Sequence, residues 1–231
     1  MILNLLFSGD IKDAVVTFAM WLPIILLAFS VHESAHALTA SWLGDRTARN
    51  LGRVTLDPTK HLDLYGFISM LLFGIGWAKP VPIYSRNMKN PKWGMAISAL
   101  AGPVSNLILG VIFAVVFGII SVNSQGEIFM RGPIVYMAQT PMAYAGLFFY
   151  YAASLNISLA VFNMIPVPPF DGSRILYVAL PAKLYFKVMK YEQYMGIAVL
   201  VIFLVLNRLN ISPLSYVVDP IIRFILGLVG A

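Results

Sequence analysis

The chain has 231 residues, of which 59% are hydrophobic and 11% charged, and its formal net charge is +6. Soluble domains carry about a quarter charged residues, so this composition excludes an ordinary water-soluble globular domain and indicates a protein of the lipid bilayer. The basic residues gather in connecting segments instead of forming stripes interleaved with aromatics, which argues against nucleic acid as a partner. The absence of cysteine leaves His, Asp and Glu as the only side chains for a metal.

The first long apolar segment covers residues 14–43 and as one helix would reach about 45 Å, against a hydrocarbon core of about 30 Å. It must tilt, bend at Pro23 or extend beyond the lipid, and Gly44 and Asp45 close it. Its apolar run exceeds the roughly 7–15 residues of a secretory signal, so it is read as a retained helix. The next segment carries Arg46, Arg49, Arg53, Lys60, Lys79, Arg86, Lys89 and Lys92, several prolines, and an apolar island at residues 67–77. That island is too short to span and is predicted to be re-entrant or interfacial. On either side of it, residues 52–56 and 80–84 alternate polar and apolar, which predicts two short edge-type strands.

Residues 93–120 form the second span, 141–165 the third and 194–206 a fourth. A last apolar stretch, 214–229, is interrupted by Asp219, Pro220 and Arg223. The expected architecture is an all-α polytopic membrane protein, a bundle of about four to six transmembrane helices with a re-entrant segment and a small β element between the first two long spans. Residues 1–231 are expected to form a single domain. Basic residues favour the cytoplasm in short loops. The segment after the first span holds most of them, the one after the second holds Arg131, and Arg174, Lys183, Lys187 and Lys190 follow the third. The first and third spans should therefore both end at the cytoplasmic side of the membrane, which is expected to be the cell membrane.

Inside the first span the chain reads His32-Glu33-Ser34-Ala35-His36, a match to H-E-x-x-H. Residues four apart on a helix differ by only about 40° around its axis, so both imidazoles can face one ion while Glu33 stands beside it. Glu33 is then placed to take a proton from water activated at the metal. A hydrogen-bonding histidine pair is the plainer reading, but ionisable groups within a span are costly and mark function. With three histidines and three glutamates in the whole chain, chance rarely assembles the pattern. Zinc needs a third protein ligand, and His61 and the seven aspartates are its sources. Asp171 stands out because it lies just past the third span, on the side where His32 and His36 lie. Taken alone, an Asp preceding Ser173 and Arg174 reads more readily as a helix cap.

Together, His32-Glu33-Ser34-Ala35-His36, Asn163-Met164-Ile165-Pro166 and Phe170-Asp171-Gly172 resemble the motifs of the site-2 protease family of intramembrane metalloproteases. The likeness extends over residues 26–180 and includes Gly52-Arg53-Val54, Trp77-Ala78-Lys79-Pro80-Val81-Pro82 and Ala101-Gly102-Pro103-Val104-Ser105-Asn106. The chain resembles minimal members of the family, without inserted PDZ or appended CBS domains. The resemblance implies one Zn2+ per chain on His32, His36 and Asp171, Glu33 as catalytic acid/base, and a transmembrane protein substrate cut within the membrane.

Asn106 and Asn163 are polar groups within or at the end of spans, suited to holding helices together or to orienting the substrate backbone and the oxyanion. His61 sits in a polar loop and reads as a hydrogen-bonder. Gly102 and Gly110, with Ala96, Ala99 and Ala114, read as a packing surface. The expected activity is a zinc endopeptidase acting on membrane-protein substrates. The competing readings are an intramembrane metal or ion carrier and a non-catalytic binder of membrane helices on the same fold. The Glu between the two histidines and the lack of two matching halves speak against a carrier.

Overall fold

The computed structural model describes residues 11–73, 77–124, 128–131, 134–137, 140–209, 211 and 213–230. Three of its helices are long and apolar enough to cross a membrane. The first, α1 (Ile11–Trp42), has 32 residues and contains Pro23. A four-residue helix, α2 (Thr47–Asn50), follows it, and then α3 (Leu64–Phe73), which has ten. The second long helix, α4 (Pro91–Asn123), has 33 residues. An antiparallel pair, β1 (Ile128–Arg131) and β2 (Ile134–Met137), leads to the third, α5 (Pro141–Asn163), with 23. After α6 (Gly172–Ala179) and α7 (Ala182–Met189) come α8 (Glu192–Arg208), of 17 residues, and α9 (Ser215–Val229), of 15.

Local chemistry sets the starts of α4 and α5. Asn90 accepts the Trp93 N–H and Thr140 accepts the Ala143 N–H, each with proline at the first helical position, where a missing donor costs nothing. α4 lies at the centre and packs against α1, α5, α6 and α9. Its buried face is built largely of small residues, among them Gly94, Ala96, Ser98, Ala99, Gly102 and Gly110, which let helices approach closely where lipid offers no hydrophobic drive. Farther along, Phe117 of α4, Tyr150 and Ile157 of α5, and Val218, Ile222 and Leu226 of α9 form the apolar core.

One expectation needs correction. No strand occurs at residues 52–56 or 80–84, and the strand pair stands between the second and third spans instead of between the first two. The reason is that other partners take these peptide groups. Gly52, with φ of 68°, turns the chain so that Arg53 N–H donates to the Ala48 carbonyl and closes α2. Pro80 and Pro82 have no N–H to offer a ladder, and Arg53 and Asp45 hold the groups around them.

Of the four to six spans expected, three helices among the described residues are long and apolar enough to cross, and α8 and α9, at about 25 and 22 Å, are shorter than these. The island expected at residues 67–77 is helical from Leu64, and its residues 74–76 lie outside the described ones. At about 15 Å α3 is too short to cross. An isolated antiparallel bridge joins Leu62 to Ala78.

Asp45, fully buried just past α1, ties this region together. Its Oδ1 accepts the Thr47 N–H (3.1 Å), the Thr47 hydroxyl (2.6 Å) and Asn87 Nδ2 (2.9 Å), and its Oδ2 accepts the Tyr84 N–H (2.6 Å). Burial raises the pKa of this carboxyl, but the hydrogen bonds from Asn87, Thr47 and Tyr84 outweigh it and hold the group below its ordinary 3.8. A depressed carboxylate contributes stability that is present above the unfolded value and lost as pH falls through the folded one. Asp45→Ala should therefore lower stability by on the order of 2 kcal/mol at neutral pH, read as a lower thermal midpoint in detergent. The gap between wild type and variant should shrink as the pH is taken below 3.8.

Candidate metal centre

His32 and His36 lie one turn apart in the C-terminal third of α1, and both are buried. Asp171 comes from the turn between α5 and α6. The two Nε2 atoms are 3.0 Å apart, and Asp171 Oδ2 lies 3.1 Å from that of His32 and 3.3 Å from that of His36. These are the only three such groups that converge among the described residues. Zinc bonds of about 2.0–2.2 Å place tetrahedral donors about 3.3–3.6 Å apart, so the triangle is within a few tenths of an ångström of one face of that tetrahedron.

The ring chemistry fits as well. His36 Nδ1 donates to the Ser98 carbonyl (2.6 Å), which leaves Nε2 as a lone pair aimed at the other two donors. A backbone carbonyl on the far nitrogen is the usual way a liganding histidine is oriented. Two imidazole nitrogens and a carboxylate crowded at these distances present mainly lone pairs to one another, and a cation between them relieves that repulsion. The residues present fit a zinc ion.

Two glycines make the arrangement possible. A Cβ on Gly102 would fall 2.4 Å from His36 Nε2 and 2.7 Å from His32 Cε1, so α4 presents bare backbone to both rings. A Cβ on Gly172 would fall 2.4 Å from the Met164 carbonyl oxygen, so the turn that delivers Asp171 can fold back on the end of α5 only with glycine there. Asp171 precedes α6 but makes no side-chain capping bond to it; its carboxylate turns to the histidines instead. Phe170 is buried beside it, edge-on to Phe162.

Glu33 is half-buried and is not one of the converging donors. Its Oε2 accepts the Val81 N–H at 3.1 Å. Asn106, one turn beyond Gly102 on α4, is fully buried, and neither its Oδ1 nor its Nδ2 has a hydrogen-bond partner among the described residues. Asn163 donates from Nδ2 to the Leu159 carbonyl of its own helix (2.9 Å). His61 is buried away from the cluster, with Nε2 bonded to the Thr55 carbonyl (2.8 Å).

Gly102 and Val81 escape the sequence reading. The first looks like one more small residue on a packing face, and the second acts through a backbone group that no side-chain pattern marks.

The protein family model described as peptidase family M50 matches residues 20–206. The chain is 37% identical over 200 residues to "Putative zinc metalloprotease YwhC" of Bacillus subtilis (strain 168), covering 86% of this chain and 84% of that protein. It is 32% identical over 114 residues to "Putative zinc metalloprotease MJ0611" of Methanocaldococcus jannaschii, covering 49% of each. It is 28% identical over 137 residues to "Zinc metalloprotease MJ0392" of the same organism, covering 59% of this chain and 35% of that one. No solved structure matches the chain.

A methyl group at position 102 would push both imidazoles out of register. Gly102→Ala should lower zinc affinity at least about tenfold, measured as metal retained per chain after dialysis against a graded chelator. Gly227→Ala, where nothing lies within 4 Å of the added carbon, should retain zinc like the wild type.

Proposed function

The chain belongs to peptidase family M50, the site-2 protease family, and from that premise we propose that this zinc metalloprotease cuts peptide bonds within or near transmembrane segments of membrane-protein substrates. The observation that carries the reading is the convergence of Asp171, from the turn after α5, on His32 and His36 within a helix long and apolar enough to span, with Glu33 next to His32 in the chain. In this reading the three converging side chains hold the zinc. Bound zinc supplies Lewis-acid polarisation of the scissile carbonyl and makes a water acidic enough to ionise near pH 7.

The chain's own residues do the rest. Glu33 takes the proton from the attacking water at a carboxylate oxygen and delivers it to the leaving amine. The histidine ring at position 36 is held in its productive tautomer by Ser98. Asn106 contacts the substrate backbone or the oxyanion, with both amide atoms free of other partners among the described residues. Asn163 can share that work only by releasing the Leu159 carbonyl. A peptide bond in an intact helix is shielded by its own hydrogen bonds, so the substrate segment is extended before attack, which favours cleavage near helix ends or helix-breaking residues.

The fold and the charges support the placement of the centre. His32 lies ten residues before the end of α1, about 15 Å from it, and the basic residues cluster beyond that end. We assign that side to the cytoplasm and the protein to the cell membrane, with the whole chain acting as one domain.

Two experiments test the reading. Glu33→Gln should keep about one zinc per chain and lower cleavage by at least about a hundredfold, whereas Asp171→Ala should lose both zinc and cleavage. Undiminished proteolysis by a clean Glu33→Gln preparation removes the mechanism, and a carrier would be indifferent to it. For topology, single cysteines at the exposed positions Asn87 and Lys187 should label with an impermeant thiol reagent from the cytoplasmic side, and one at Asn123 from the opposite side. The inverse pattern would reverse the orientation.

A further inference from the structure

Glu33 is held by a peptide segment that is itself clamped at both ends. In Pro80-Val81-Pro82 the only N–H belongs to Val81, and it donates to Glu33 Oε2 at 3.1 Å. Upstream, Arg53 Nη2 donates to the carbonyls of Lys79 and Pro80, and the Lys79 N–H donates to the His61 carbonyl (2.8 Å). Downstream, the Tyr84 N–H donates to Asp45 Oδ2 (2.6 Å). The prolines fix φ near −65° on either side of Val81, so the segment has little freedom left to lose.

Arg53 is the telling member of this clamp. It is buried, no carboxylate pairs with it among the described residues, and its Nε has no partner there. A buried guanidinium met only by neutral carbonyls is a poor source of stability. It is a good source of fixed geometry, because one amino group of the rigid, planar guanidinium, Nη2, donates to two successive carbonyls.

We propose that the backbone amide of Val81 positions Glu33, and that Arg53 is the positioning residue that sets this amide in place, with Asp45 as the second anchor. The bond from an amide to an ionised carboxylate is charge-assisted. It fixes one carboxylate oxygen and leaves the other to handle the proton. The proposal rests on the reading of Glu33 as the acid/base.

The test uses the purified full-length chain in detergent and a single-span test substrate carrying a Gly-Pro break, with kcat, KM and zinc per chain measured for four variants. Val81→Pro deletes the N–H while suiting the extended backbone between two prolines, and Arg53→Ala removes the upstream anchor. Each should lower kcat by about tenfold to a hundredfold with KM within about twofold and zinc near one per chain. Val81→Ala keeps the amide and should lose at least about fivefold less kcat than Val81→Pro. Arg53→Lys, which can still donate to a carbonyl, should recover part of what Arg53→Ala loses.

Equal kcat for Val81→Pro and Val81→Ala overturns the proposal. If Val81→Pro fails to bind zinc or loses helical signal, the Arg53 pair decides. A kcat loss with zinc retained and recovery by lysine supports it, whereas an unchanged kcat, a change confined to KM, a loss of zinc, or no recovery overturns it. Failure of the wider reading is distinct, since that would show as cleavage surviving Glu33→Gln.

Discussion

Two imidazoles on one face of a membrane-spanning helix need a neighbour that approaches them without a side chain and offers a hydrogen-bond acceptor to the far nitrogen. α4 meets both demands within four residues: Gly102 leaves room for both rings, and the Ser98 carbonyl takes the Nδ1 proton of His36. That contact sets how closely α1 and α4 lie. The third donor comes from neither helix. It arrives on the turn after α5, which folds back tightly enough to need Gly172. The positions of α1, α4 and α5 relative to one another are thus what the donor triangle requires, and small residues along α4 are what allow them.

The opposite side of the same construction is the loop system beyond α1. Asp45 and Arg53 are opposite charges, both buried, yet neither is paired with the other; both reach one peptide segment, Arg53 at its start and Asp45 at its end. This is an economical way to make an irregular stretch rigid. A strand at the same place would need a partner with matching donors, and a segment with prolines at 80 and 82 cannot supply them. Side-chain anchors at its two ends do the same job without a ladder, and they leave the Val81 amide directed at Glu33.

How much of this was legible depends on whether the signal is local. His32, Glu33 and His36 are separated by spacings that a helix converts directly into a common face, so the pattern can be read without a fold. Asp171 is 135 residues beyond His36, and its immediate surroundings look like a helix start; the motif resemblance singled it out, and geometry now shows a carboxylate that makes no cap. The strands expected at 52–56 and 80–84 came from an alternation whose peptide groups were claimed elsewhere, locally by Ala48 and His61 at 52–56, and by Arg53, Glu33 and Asp45, distant in sequence, at 80–84. Asp45 read as the end of a helix, because two of its partners, Tyr84 and Asn87, lie about forty residues away. Gly102 sits among alanines and glycines that serve packing alone, and only the identity of what touches it sets it apart.

The distribution of unsatisfied groups follows from the same division. Native proteins leave few buried polar atoms without partners, and each costs about 1–3 kcal/mol. Here the buried side-chain atoms without partners among the described residues belong to His32, Arg53, His61, Ser98, Asn106 and Asn156. Five of these six lie on the segments that build the centre or its flanking loops. The apolar core of α4, α5 and α9 contains no such group among Phe117, Tyr150, Ile157, Val218, Ile222 and Leu226. The far half of α4 is thus packed among apolar side chains, and most of the buried polar atoms without partners lie toward the metal centre and its flanking loops. A single continuous helix running through both halves is what lets the one hold the other in place.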